Sequence, residues 1–189
     1  MNLALCRIFP FMLQKRLKII STVLYIWIAF NHVQAQYDGM KRLNFFIGEW
    51  SIETLDIMPD GKFQKNRGVS SASFFMDGHA IKDEYRILNE AGKTIFQGLS
   101  IRSYNPVTKK YQIIWIMPGK TGITDITAEF INDIFMGKGT GYDEYGPFLE
   151  RFEYYDIQKN SYKFKMDRSY DNGKTWIVNF GRYTAHRLK

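Results

Sequence analysis

From residue 43 onward the chain is cut by turn signals at short, nearly regular intervals, and this spacing limits the fold more than any other feature. Pro59-Asp60-Gly61-Lys62, Asp77-Gly78, Asn105-Pro106, Asn132-Asp133 and Asp171-Asn172-Gly173 are the sharpest of them. Proline presets φ, while Asn, Asp and Gly tolerate the positive φ that tight turns require. Residues 89–93 and 118–122 read as looser connections. The segments between them, 50–58, 63–76, 79–88, 94–104, 111–117, 123–131, 134–142, 148–157, 162–170 and 175–186, are strand-length and show no helical period. About ten short strands joined to their neighbours predict an all-β chain. An antiparallel up-and-down β-barrel follows, because closure removes the two exposed edges.

Alternation within the strands assigns faces. In 79–88, Ile81, Asp83, Tyr85 and Ile87 share one face and Lys82, Glu84 and Arg86 the other. In 162–170, Tyr162, Phe164, Met166, Arg168 and Tyr170 share a face opposite Lys163, Lys165 and Asp167. Residues 111–117 are apolar on both faces, and 134–142 is rich in glycine, which suits a strongly curved sheet. A bulge is expected near Gly68. With 15 Phe, 12 Tyr and 4 Trp, the chain has the aromatic stock with which small barrels fill or line their interiors.

The N-terminal part differs in kind. Lys15-Arg16-Leu17-Lys18 precedes an apolar run over 19–30, and Val33-Gln34-Ala35 supplies a small residue before Gln36. This is the order of a secretory signal peptide, which predicts a 1–35 leader, cleavage after Ala35 and one 36–189 domain. Localisation would then be periplasmic or extracellular. The apolar run is shorter than the roughly 20 residues a membrane span needs, so no span is expected after cleavage. Four of the 26 basic residues and none of the 19 acids precede Ala35, which reduces the net charge from +7 to +3 in the remainder. Those charges are scattered rather than striped, which argues against nucleic acid as a partner. The lone cysteine, Cys6, also lies in the leader, so the domain has neither disulfide nor thiol nucleophile.

Leu43-Asn44-Phe45-Phe46-Ile47-Gly48-Glu49-Trp50 leads into the first strand. Residues 37–47 read as a short helix or turn whose Leu43, Phe46 and Ile47 plug one end of the barrel. Gly48 permits a close turn and Trp50 closes the floor. Gly48-x-Trp50 resembles the motif that opens the first strand of lipocalins, in which a C-terminal Arg covers the Trp; Arg182 and Arg187 are the candidates here. Met76-Asp77-Gly78-His79, Tyr104-Asn105-Pro106 and a last strand ending in Tyr and Arg extend the resemblance to secreted bacterial lipocalin-like (calycin) proteins known as a domain of unknown function. That resemblance implies a barrel and no established activity.

Ser169-x-Asp171-x-Gly173-x-Thr175-Trp176 matches the Asp-box of sialidase propellers, where Asp, Gly and Trp hold a hairpin turn. One copy cannot build a propeller, so Asp171, Gly173 and Trp176 are read as structural. His186 sits about where the related nitrobindin barrels carry their haem histidine, but the further Gly of that family's entry motif is missing. No His, Cys, Asp or Glu set has metal-ligand spacing, and no cofactor is expected. Gly137-Lys138-Gly139-Thr140-Gly141 fits a strand rather than a phosphate loop.

Charged residues on apolar faces remain: Asp83, Glu150 between Phe148 and Phe152, and Arg168. Turned inward, they must pair or bind something. One reading is an internal ion pair of Arg168 with Asp83 or Glu150. The other is a ligand site in which Arg168 and Tyr170 hold a carboxylate, as an Arg-x-Tyr pair does in fatty-acid-binding barrels, with Asp83, Tyr85, Glu150, Tyr162 and Phe164 around it. The expected function is binding of a small apolar or amphipathic molecule inside the barrel. The alternatives are an isomerase- or hydratase-type enzyme using inward carboxylates and tyrosines, and a structural envelope protein with a filled core. Oligomeric state is not legible.

Overall fold

The computed structural model describes residues 5–57, 63–119 and 122–188. Ten strands follow one long helix: α1 (Leu5–Lys41), β1 (Gly48–Ile57), β2 (Phe63–Phe75), β3 (Ala80–Leu88), β4 (Thr94–Asn105), β5 (Lys110–Ile116), β6 (Ile123–Ile131), β7 (Ile134–Asp143), β8 (Gly146–Tyr155), β9 (Ser161–Ser169) and β10 (Ile177–Arg187). Each strand pairs antiparallel with its sequence neighbours, and β10 returns to β1, giving the closed up-and-down barrel that the turn spacing predicts. The Pro59–Lys62 turn and the middle of the 118–122 loop lie outside the described residues.

Among the described residues the register shifts between Ile87 and Leu88 and between Ile177 and Gly181. Neither is at Gly68, where pairing with both neighbours is continuous. That glycine answers a different need: a Cβ there would lie 2.5 Å from the Arg86 carbonyl oxygen. In β10 the extra residues centre on Asn179, whose φ is 55° and whose backbone N–H donates to Asp167 at 2.9 Å.

One end of the barrel is sealed. The last turn of α1 and a 3-10 turn (Asn44–Phe46) lie across it, and Met40, Leu43, Phe46, Trp50, Tyr111, Phe135 and Tyr162 are at most 2% exposed. The Tyr111 hydroxyl donates to the Gly39 carbonyl at 2.7 Å and Trp50 Nε1 donates to the Phe46 carbonyl at 2.8 Å. Burial pushes the Tyr111 phenol up to about 12. Arg187, on β10 opposite Trp50, completes the seal. Its guanidinium lies 4.1 Å from the centre of the Trp50 ring and donates to the carbonyls of Ile47 (2.5 Å), Lys159 (3.0 Å) and Phe45 (3.5 Å). Of the two candidate arginines, Arg187 therefore covers the Trp. Arg182 sits opposite Lys165 on the outer face.

Further back, α1 carries exposed Val23, Leu24, Tyr25, Ile26, Trp27 and Ile28. No helix among the described residues is long and apolar enough to cross a membrane.

Candidate functional site

The inner wall of β7 is glycine at positions 137, 139 and 141. A Cβ at Gly137 would meet the Phe152 ring and Ala128, at Gly139 the Ile126 side chain at 2.6 Å, and at Gly141 the Phe148 ring. Large side chains from β6 and β8 thus lie flat across β7, and this wall of the barrel is solid. The glycine run is therefore a packing device and not a phosphate cradle.

Arg168 stands against this wall. Its two terminal nitrogens hold Asp143 and Glu150 at 3.0 Å each, and its guanidinium lies 3.8 Å from the centre of the Phe148 ring and 4.4 Å from that of Phe180. The Tyr170 hydroxyl donates to the same Asp143 oxygen at 2.7 Å. The Arg-x-Tyr spacing does bring both side chains onto a carboxylate, but that carboxylate belongs to the chain. Of the two sequence readings, the internal ion pair is the one the geometry displays, with Glu150 and not Asp83. Burial pushes the Glu150 carboxyl up, and the Arg168 charge and hydrogen bond pull part of that back.

The adjoining turn repeats the Asp-box contacts. Asp171 accepts from the Thr175 hydroxyl at 2.6 Å, from the Thr175 N–H at 2.9 Å and from the Ser169 hydroxyl at 2.8 Å. The same bonds hold its carboxyl down at about 2. Gly173, at φ 84°, donates to Ser169 Oγ at 2.9 Å, and Trp176 Nε1 donates back to the Gly173 carbonyl at 3.1 Å. This turn fixes the end of β9, and hence Arg168.

Asp83 belongs to a second cluster, at the boundary between the plug and the rest of the interior. It accepts a hydrogen bond from Ser70 and pairs with Arg102 at 3.0 Å. The Arg102 guanidinium lies 4.3 Å from the centre of the Phe46 ring, so it rests on the plug. Burial opposes its charge, but Asp83 and the nearby Tyr154 and Tyr183 outweigh that and raise its pKa. Burial also raises the phenols of Tyr154, Tyr162 and Tyr183. Arg102 Nε, Arg102 Nη1 and Ser100 Oγ are enclosed and have no hydrogen-bond partner among the described residues.

Beyond that cluster the interior is different. Tyr85, Trp115, Phe164, Met166 and Tyr183 point inward, pack on the core and stay only partly buried; Phe96, also partly buried, packs on Tyr85 and Trp115 near the mouth. Tyr85 and Tyr183, on strands that are not neighbours, meet across the barrel at 5.9 Å between ring centres. Phe164 stacks on Tyr183 at 4.8 Å, and Trp115, laid over Gly98, stacks on Phe96 at 6.4 Å. These partly exposed rings form an aromatic cluster, the chamber, between β3–β5 and β9–β10. A hollow of about 340 Å³ at the rim, lined by residues 94–97 with Met117 and Pro118, adjoins it at Phe96.

A larger cleft of about 440 Å³ lies outside the barrel, among Lys110, Thr127, Glu129, Lys138 and Glu153. Its charges pair with one another, Lys110 with Glu129 at 3.4 Å and Lys165 with Glu153 at 2.9 Å, as on a solvated sheet face. His186 is exposed on the outer wall opposite Ser51, away from the interior.

The predicted site residues thus divide. Tyr85 and Phe164 line the chamber, Asp83 and Tyr162 lie at its base, and Arg168, Tyr170 and Glu150 form a closed network beside it. Sequence reasoning missed Arg102 and Asp143.

A family model described as a protein of unknown function (DUF1579) matches residues 36–144. The chain belongs to this family. Among curated proteins none matches it in sequence. In three dimensions the chain is similar to the crystal structure of Rv2717c from M. tuberculosis, with a TM-score of 0.59 and 12% identity over 80% of this chain and 98% of that one. At that identity the likeness of this DUF1579 member to the mycobacterial protein concerns the fold alone.

Proposed function

We propose that this DUF1579 barrel binds a small, mostly apolar or amphipathic molecule in the chamber, in the manner its lipocalin-like sequence motifs suggest. The observation that carries the reading is the partial exposure of Tyr85, Trp115, Phe164, Met166 and Tyr183 on the inside of a closed sheet. Apolar surface left open to water costs about 25 cal/mol per Å², and a ligand that covers it recovers that energy. The same exposure argues against a filled envelope protein. The enzyme alternative calls for an acid free to exchange protons with a ligand, whereas Glu150 is bonded to Arg168. Titration of the protein with 1-decanol, followed by tryptophan fluorescence, should saturate at one equivalent. Met166→Trp, which fills the chamber, should abolish that binding without unfolding the barrel. Binding unchanged by Met166→Trp, or no saturable binding in the wild type, would contradict the reading.

Export completes the proposal. The basic patch, the apolar run and the exposed Val23–Ile28 side chains support a leader cleaved after Ala35, four residues before Gly39, where contact with Tyr111 begins. The plug therefore stays with the mature barrel. N-terminal sequencing of protein recovered outside the cytoplasm should begin at Gln36; a mature form retaining residues 19–30 would refute the leader.

A further inference from the structure

Among the described residues two arginines are buried inside the barrel, Arg102 and Arg168, and they are satisfied unequally. Arg168 donates from both terminal nitrogens, to two carboxylates. Arg102, 4% exposed, has one carboxylate partner, Asp83, held by Nη2 alone. Among the described residues its Nη1 has no acceptor, and Nε is unpartnered in both arginines. A guanidinium carries five N–H donors, and leaving them unmet in a low-dielectric interior is costly. Buried unsatisfied donors in a native protein call for an explanation, of which a ligand is one. Among the other polar groups nearby, the Tyr154 hydroxyl interacts with Arg102, but it does not stand in hydrogen-bonding geometry with Nη1. Both oxygens of Asp83 are already engaged, by Ser70 and by Arg102. The hydroxyls of Tyr154 and Tyr183 contact each other at 3.4 Å, long beside the ~2.7–2.8 Å of an ordinary O–H···O bond.

The position of Arg102 says where a partner would come from. Its guanidinium rests on Phe46 of the plug, and Tyr183, which influences its charge, is a wall of the chamber. It therefore marks the chamber floor. We infer that the chamber's ligand carries a single carboxylate, which enters beside Tyr183, displaces its contact with Tyr154 and bonds Arg102 Nη1, while the apolar body lies against Tyr85, Trp115, Phe164 and Met166. Arg102 then holds two carboxylates, the arrangement the chain itself builds at Arg168. This rests on the chamber reading and adds the head group to it.

The test uses three probes with one tail: decanoate, 1-decanol and decylamine, titrated into the protein. Decanoate should bind roughly tenfold to hundredfold more tightly than decanol, the range expected for one charge-assisted hydrogen bond, and decylamine no better than decanol. Arg102→Met alone would strand the Asp83 charge, so it is paired with Asp83→Asn. In that double variant decanoate should fall to the affinity of decanol, and decanol should be unaffected. The wild-type series decides the question even if the double variant does not fold. Decanol binding with no preference for decanoate would overturn the head-group inference and leave the chamber standing. Binding of none of the probes would remove both. Decylamine binding tightest would overturn the inference in favour of the surplus carboxylate at Asp143 and Glu150. A preference for decanoate that survives the double variant would place the head group elsewhere and overturn the assignment to Arg102.

Discussion

The sealed end and the chamber are built from the same kind of residue and reach opposite results. At the sealed end Trp50, Tyr111, Phe135 and Tyr162 are at most 2% exposed because an extra segment, Gly39 to Ile47, is laid across the sheet and held by Tyr111, Trp50 and Arg187. In the chamber, Tyr85, Trp115, Phe164 and Tyr183 meet across the barrel and stay partly exposed, with no such segment laid over them among the described residues. A closed ten-stranded sheet has a wide interior, and its diameter grows with the number of strands. The chain spends its plug at one end and its glycine-backed aromatics on one wall. The inward rings that neither device covers are the surface proposed to meet a ligand.

The largest contrast should appear on truncation. Trp50→Ala removes a fully enclosed ring and the bond to Phe46, and should cost about 3–5 kcal/mol by urea denaturation. Met166→Ala removes a side chain that already borders open space, and should cost less than about 2 kcal/mol. Equal costs would mean that the chamber is as tightly packed as the plug. A smaller contrast tests the walls. Gly139→Ala drives a Cβ to 2.6 Å from Ile126 and 2.8 Å from the Asp125 carbonyl, which should cost about 1–3 kcal/mol. Gly181→Ala meets only the flexible end of Met166 at 3.4 Å and should be nearly neutral. A Gly139→Ala midpoint indistinguishable from wild type would show that the β7 wall has slack.

Much of this was legible because turns and alternation are local. The turn pairs set ten strands, Gly48-x-Trp50 marked the floor, and the inward face of β9 placed Phe164 and Arg168 correctly. Arg102 was missed for a physical reason. In β4, Ile95, Leu99 and Ile101 alternate with Phe96, Gly98, Ser100 and Arg102, and the outward set is the more hydrophobic in appearance. Only the register Asp83↔Ser100 with Ile81↔Arg102 turns the arginine inward, and register is a property of two strands. Asp143 escaped notice at the very end of β7, where alternation gives way to the turn before Gly146. The choice between Arg182 and Arg187 was hidden by the irregularity between Ile177 and Gly181, which breaks the count of faces along β10.

The central claim is that the partly exposed rings between β3–β5 and β9–β10 form the binding site. Amide and side-chain NMR shifts of the protein, recorded as decanol is added, test it most directly. The account predicts saturable shifts at Tyr85, Phe96, Trp115, Phe164, Met166 and Tyr183, with Trp50 and Phe135 at the sealed end unmoved. Shifts confined to the outer cleft around Lys138 and Glu153, with the inner rings silent, would contradict it.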